Sequence, residues 1–112
     1  MPDSPLTRQT CIPCDDGTPA LPANAARQLM VQLDGWTLSS DARAIHKRFD
    51  FKGFAKPVEL ANLAAWLGNK QGHHPDIRFG WGYCEVVFTT HAAGGLTEND
   101  FICAARLDAL LA

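Results

Sequence analysis

An α+β fold in the order α-β-β-α-β-β-α, a four-stranded antiparallel sheet with helices packed on one face, is predicted by three features of this 112-residue sequence. Two stretches of alternating apolar and polar residues are each interrupted by a turn-forming cluster, which reads as two hairpins. Each hairpin is followed by a longer run whose apolar residues recur at helical spacing. The length suits one core, and 46% hydrophobic with 20% charged residues is the balance of a folded chain, not a disordered one.

The elements follow in order. Five of the seven prolines fall before Ala23, and proline denies helix and central strand a backbone donor, so residues 1–24 are expected as a partly ordered tail ahead of a domain spanning 25–112. Ala25, Ala26, Leu29, Met30 and Leu33 then mark a short helix, with Asn24 as its N-cap and Gly35 as its stop. Trp36–Leu38 and Ala44–Phe51 flank Ser39-Ser40-Asp41 as the first hairpin, with Ile45, Phe49 and Phe51 on one face. Phe54, Val58, Ala61 and Ala65 with Leu60, Leu63 and Leu67 form a wide apolar stripe from about Phe54 to Gln71 that makes the long helix, and Pro57 is tolerated in its first turn. Ile77, Phe79 and Trp81 alternate in the third strand, Gly82 turns the chain, and Tyr83 to Thr90 is the fourth strand. Thr97 and Asp100 form a capping-box signature ahead of a last helix carrying Phe101, Ile102, Ala105, Leu107, Leu110 and Leu111.

Ten basic against twelve acidic side chains give a net charge of -2, without the positive footprint that nucleic acid or an anionic membrane requires. No run approaches the roughly 20 apolar residues of a membrane span, and Met1-Pro2-Asp3-Ser4 lacks the order of a signal peptide. A soluble cytoplasmic chain with reduced cysteines is the expectation.

The densest chemistry is Gly72-His73-His74-Pro75, between the long helix and the third strand. Pro75 forces His74 into an extended conformation, so the two imidazoles point apart, a geometry poorly suited to one metal ion and better suited to two tasks. His91 lies where the fourth strand ends, before Ala92-Ala93-Gly94-Gly95. An antiparallel hairpin brings the start of one strand beside the end of the next, so His73, His74 and His91 are expected to share a cleft. Imidazole gives and takes protons near neutral pH, which points to acid-base work. His46, mid-strand on the polar side, reads as a solvated residue. Cys11-x-x-Cys14 has the spacing of half a zinc site or a redox pair, but without a second cysteine pair it reads as two thiols on the mobile tail. A small zinc protein built from these cysteines and the histidines is the outlying alternative. Trp36, Trp66 and Trp81 read as core or interface groups.

His73-His74-Pro75, Trp81, His91 and Asp100 at this spacing resemble the signature of the pterin-4a-carbinolamine dehydratases. Gly35-Trp36, the stretch Phe49 to Phe54, Thr90-His91, Gly95-Leu96-Thr97 and Asp100-Phe101-Ile102 are similar to the family's text across Leu29 to Leu111. One departure is Asn69, where family members commonly carry a glutamate four residues before the histidine pair. The resemblance implies dehydration of a 4a-hydroxytetrahydropterin to the quinonoid dihydropterin, recycling the cofactor of aromatic amino acid hydroxylases. It implies His73, His74 and His91 as the catalytic proton donor, acceptor and ring-contact groups, with Pro75, Thr90 and Asp100 binding substrate or shaping its site, and neither a metal nor a cofactor. It also implies a homodimer or homotetramer, a hydroxylase as a possible partner, and no contact with nucleic acid or membrane. The rival function is a protein-binding dimerisation cofactor, a transcriptional co-regulator that does not touch DNA.

Overall fold

Two β-hairpins, each followed by a long helix, build the molecule. The computed structural model describes residues 5–15 and 17–112; Met1 to Ser4, on which the signal-peptide expectation falls, and Asp16 lie outside the described residues. Helix α1 (Ala23–Met30) precedes strands β1 (Thr37–Leu38) and β2 (Ile45–Asp50), helix α2 (Ala55–Gln71), strands β3 (Asp76–Gly80) and β4 (Tyr83–Phe88), and helix α3 (Glu98–Leu111). The expected order and the antiparallel sheet are both present.

The sheet runs β1-β2-β4-β3, so the hairpins lie side by side and join through β2 and β4, with Ile45 opposite Phe88 and Phe49 opposite Cys84. Period-two alternation sends Ile45, Cys84, Val86 and Phe88 to one face, where all four are fully buried beneath α2 and α3. His46, Arg48 and Asp50 share the opposite face with Asp76, Arg78 and Glu85. Burying one large apolar side chain contributes about 1.5–3 kcal/mol, so the row of Phe88, Phe101, Leu96 and Leu107 anchors the layer.

Several boundaries differ from the sequence expectation. Helix α1 starts after Pro22, whose fixed φ of -66° suits the cap position, so Asn24 lies inside the helix and caps nothing. That helix ends at Met30, and Gly35, at φ +81°, belongs to the turn leading into β1. Trp81 sits in the β3–β4 turn and Thr90 lies beyond β4, where it forms an isolated bridge with Gly95. The buried side of α2 is Pro57, Leu60, Ala61, Ala64, Leu67 and Gly68, while Phe54 and Ala65 from the expected stripe are exposed. The stripe is wider than the strip of helix that one sheet face covers.

The proline-rich N-terminal segment makes more contact than a mobile tail would. Leu6 is buried in the core, and Gln9 to Cys14 lie against α2 and α3. Apolar periodicity does not register such a segment, because side-chain amides from distant helices hold it.

Candidate active site

The C-terminus of α2 determines where the histidine pair goes. Gly72, at φ +65°, takes the left-handed conformation that closes a helix, and its N–H donates to the Asn69 carbonyl at 3.4 Å. The His73 N–H reaches back to the Gly68 carbonyl at 3.0 Å, completing a Schellman motif. Gly68 is required for space: a Cβ there would stand 2.7 Å from Pro75 Cδ and 3.2 Å from the His73 carbonyl. The sequence reading missed Gly68, whose only signal is a glycine inside a strongly helical run.

His73 turns inward from this corner and His74 turns out to solvent. His73 is 8% exposed, its ring stacks on Phe88 with centroids 6.3 Å apart, and its Nε2 lies 2.5 Å from Asp100 Oδ1. Asp100 is fully buried with both oxygens engaged. Its Oδ2 accepts from Thr90 Oγ1 at 2.8 Å and from the Thr97 N–H at 2.9 Å, the latter being half of the capping box. Thr90 and Thr97 hydroxyls complete the network at 2.9 Å. Asp100 therefore caps α3 and grips His73 with the same carboxylate. Burial works against a charged imidazole at His73, but the hydrogen bond and negative charge of Asp100 outweigh it, leaving the His73 pKa above the ordinary value.

His91 begins a one-turn helix, His91–Ala93, closed by Gly94 at φ +72°. Paired Thr90 N–H to Gly95 carbonyl (2.8 Å) and Gly95 N–H to Thr90 carbonyl (3.3 Å) bonds pinch this loop shut at its base. Gly72, His73, His74, Thr89, Thr90, His91 and Ala92 line one cleft of about 190 Å³, and Ile12, Cys14 and Asn99 close its far side. The three histidines expected to meet do meet. Thr90 lines the cleft and Asp100 stands behind it, whereas Pro75 packs on Gly68 and is not among the lining residues.

Other candidates lie elsewhere. Trp81, 78% exposed, is at the far end of the β3–β4 hairpin, roughly 15 Å of strand from the cleft. Trp36 is buried and donates from Nε1 to Asp108 at 2.9 Å, and Trp66 lies on the surface under Lys70. Asn69 is exposed, and neither Asp76 nor Glu85 lines the cleft. The four cysteines are free thiols, and among the described residues no three His, Cys, Asp or Glu side chains are grouped so as to hold a metal ion. Among the described residues no helix is long and apolar enough to cross a membrane.

Comparison with known proteins identifies the family. Residues 19–110 match the family model described as Pterin 4 alpha carbinolamine dehydratase. A protein of Paracoccus denitrificans is 50% identical over 94 residues, covering 84% of this chain and 88% of its own length. One from Nitrosospira multiformis is 45% identical over 105 residues, covering 94% and 91%. Both are provisionally named pterin-4-alpha-carbinolamine dehydratases. Among solved structures, a transcriptional coactivator/pterin dehydratase from Brucella melitensis superposes with a TM-score of 0.75 at 28% identity, covering 83% of this chain and 99% of that one. With a family match over most of its length and relatives this similar, the chain belongs to the pterin 4 alpha carbinolamine dehydratase family.

Proposed function

We propose that the histidine cleft removes water from a 4a-hydroxytetrahydropterin, giving the quinonoid dihydropterin. The observation that carries the reading is the buried His73–Asp100 pair opening onto a cleft that His74 and His91 also line. Loss of the 4a hydroxyl needs a proton delivered to the departing oxygen and another withdrawn from a ring nitrogen. Asp100 occupies His73 Nε2 and favours the charged ring, so His73 suits the donor role, with Nδ1 as the ring nitrogen left to give the proton. In this reading His74 and His91, both solvent-exposed, take up the ring-nitrogen proton and pass it to water. Thr90 shapes the floor of the site, and Asp100 steadies His73. Positioned proton transfer of this kind contributes about 10²–10⁴ in rate, and no step in it calls for a metal or an electron carrier. In this role the chain would work in the cytoplasm as a homodimer or homotetramer beside an aromatic amino acid hydroxylase, returning its oxidised pterin to use.

The test is a spectrophotometric assay of dihydropterin formation from freshly generated 4a-carbinolamine. Acceleration over the uncatalysed reaction is expected, and a rate equal to buffer alone would overturn the reading.

A second reading, a protein-binding co-regulator that does not contact DNA, draws support from the printed name of the Brucella structure. The net charge of -2 is compatible with a protein partner. If binding is the function, cleft variants of His73 and His91 retain full capture of the partner.

A further inference from the structure

The N-terminal segment runs along one side of the histidine cleft as a strap. Its residue Gln9 accepts from Arg106 Nε at 2.7 Å, and the Cys11 N–H donates to Gln71 Oε1 at 3.0 Å. Asn99 holds Ile12 twice, its Oδ1 accepting the Ile12 N–H at 3.0 Å and its Nδ2 donating to the Ile12 carbonyl at 2.6 Å. The same Nδ2 reaches Cys14 Sγ at 3.2 Å. Ile12, Cys14 and Asn99 line the histidine cleft on one side and a second cleft of about 370 Å³ on the other, so the strap is the wall between them.

Beneath the strap two thiols touch. Cys11 Sγ lies 3.5 Å from Cys103 Sγ, and Cys103 Sγ lies 4.0 Å from the His73 carbonyl oxygen. We propose that Cys11 and Cys103 are a disulfide-forming pair whose oxidation pins the strap as the wall of the histidine cleft. The two sulfurs need only close by about 1.5 Å to reach bonding distance.

The pair is unequal in the way thiol-disulfide exchange requires. Cys11 is half-buried and reachable from solvent, whereas Cys103 is fully buried. The hydrogen bond shared with Cys103 sulfur lowers the Cys11 pKa, an effect burial opposes and the neighbouring His73 assists. That shared hydrogen bond, with burial, raises Cys103. Cys11, the sulfur that solvent reaches, is the attacking thiolate, and the buried Cys103 is the resolving thiol. A small-molecule disulfide of the glutathione class is the oxidant. Cys11 sulfur attacks one of its sulfurs and expels the first thiolate. Cys103 then gives up its proton, attacks Cys11 sulfur and expels the second. Two protein thiols are oxidised, one disulfide is reduced to two thiols, and the Cys11–Cys103 bond remains.

The experiment uses the full chain equilibrated in oxidised and reduced glutathione, alkylated, digested and mapped by mass spectrometry. Wild type and Cys14→Ser are both expected to yield a Cys11–Cys103 linked peptide that dithiothreitol removes. Amide exchange at Ile12 is expected to slow about tenfold on oxidation. Cys103→Ser, or Cys103→Ala should the serine variant not fold, loses the link and leaves Cys11 as a mixed disulfide with glutathione. A dominant Cys11–Cys14 bridge in wild type, or Cys11 fully alkylatable in oxidised glutathione, would overturn the proposal. None of these readouts involves pterin turnover, so the result stands apart from the proposed dehydration.

Discussion

His73 carries the electrostatics of the cleft, and Asp100 sets its proton affinity. Replacing Asp100 with Asn keeps a polar group at the cap and removes the negative charge, so the His73 pKa falls. The limb of the activity-pH profile that follows His73 therefore moves to lower pH in Asp100→Asn, whether His73 gives or takes the proton. A pH series of kcat/KM in both proteins checks this, and an unmoved limb would separate His73 from the profile. The sequence made Asp100 legible as a cap, because the capping box is a local pattern. Its hold on His73 was not legible, since 27 residues separate the two and only the fold brings them together.

At the scale of elements, the cleft depends on how α2 ends. Gly68→Ala pushes a methyl group into Pro75, and overpacking of this kind costs roughly 1–3 kcal/mol. Because the displaced segment carries His73 and His74, turnover is expected to fall along with Tm in that variant. Gly72→Ala meets no neighbouring atom within 4 Å but must hold a left-handed backbone, at a cost of about 1–2 kcal/mol. Thermal melts and turnover of the two variants distinguish crowding at the site from simple backbone strain. The helices and hairpins were legible because their apolar spacing is local and strong. The buried side of α2 was only partly legible: Leu60, Ala61 and Leu67 of the expected stripe are buried, but Ala65 is exposed and Ala64 is the buried alanine. The strap was not legible at all, since Asn99, Gln71 and Arg106 hold it from elements far along the chain.

Across the whole molecule, the His73–Asp100 pair links folding to pH. The folded-state pKa of His73 lies above its unfolded value of ~6.5, so the stabilisation from its proton is fully present below that value. It is lost as pH rises through the folded-state pKa. Wild-type Tm is therefore expected to decline on the alkaline side of ~6.5, with a flatter profile in His73→Gln, as scanning calorimetry across pH would show. His73→Ala is the harsher change, because it strands the Asp100 carboxylate in the interior without its partner. The glutamine variant, whose amide still donates to Asp100, and His91→Ala at the exposed rim are the decisive pair. Steady-state dehydration by each, with circular dichroism to verify the fold, tests the acid-base reading most directly. Turnover roughly 10²-fold below wild type in folded protein is the result predicted, and wild-type turnover in both variants would contradict it.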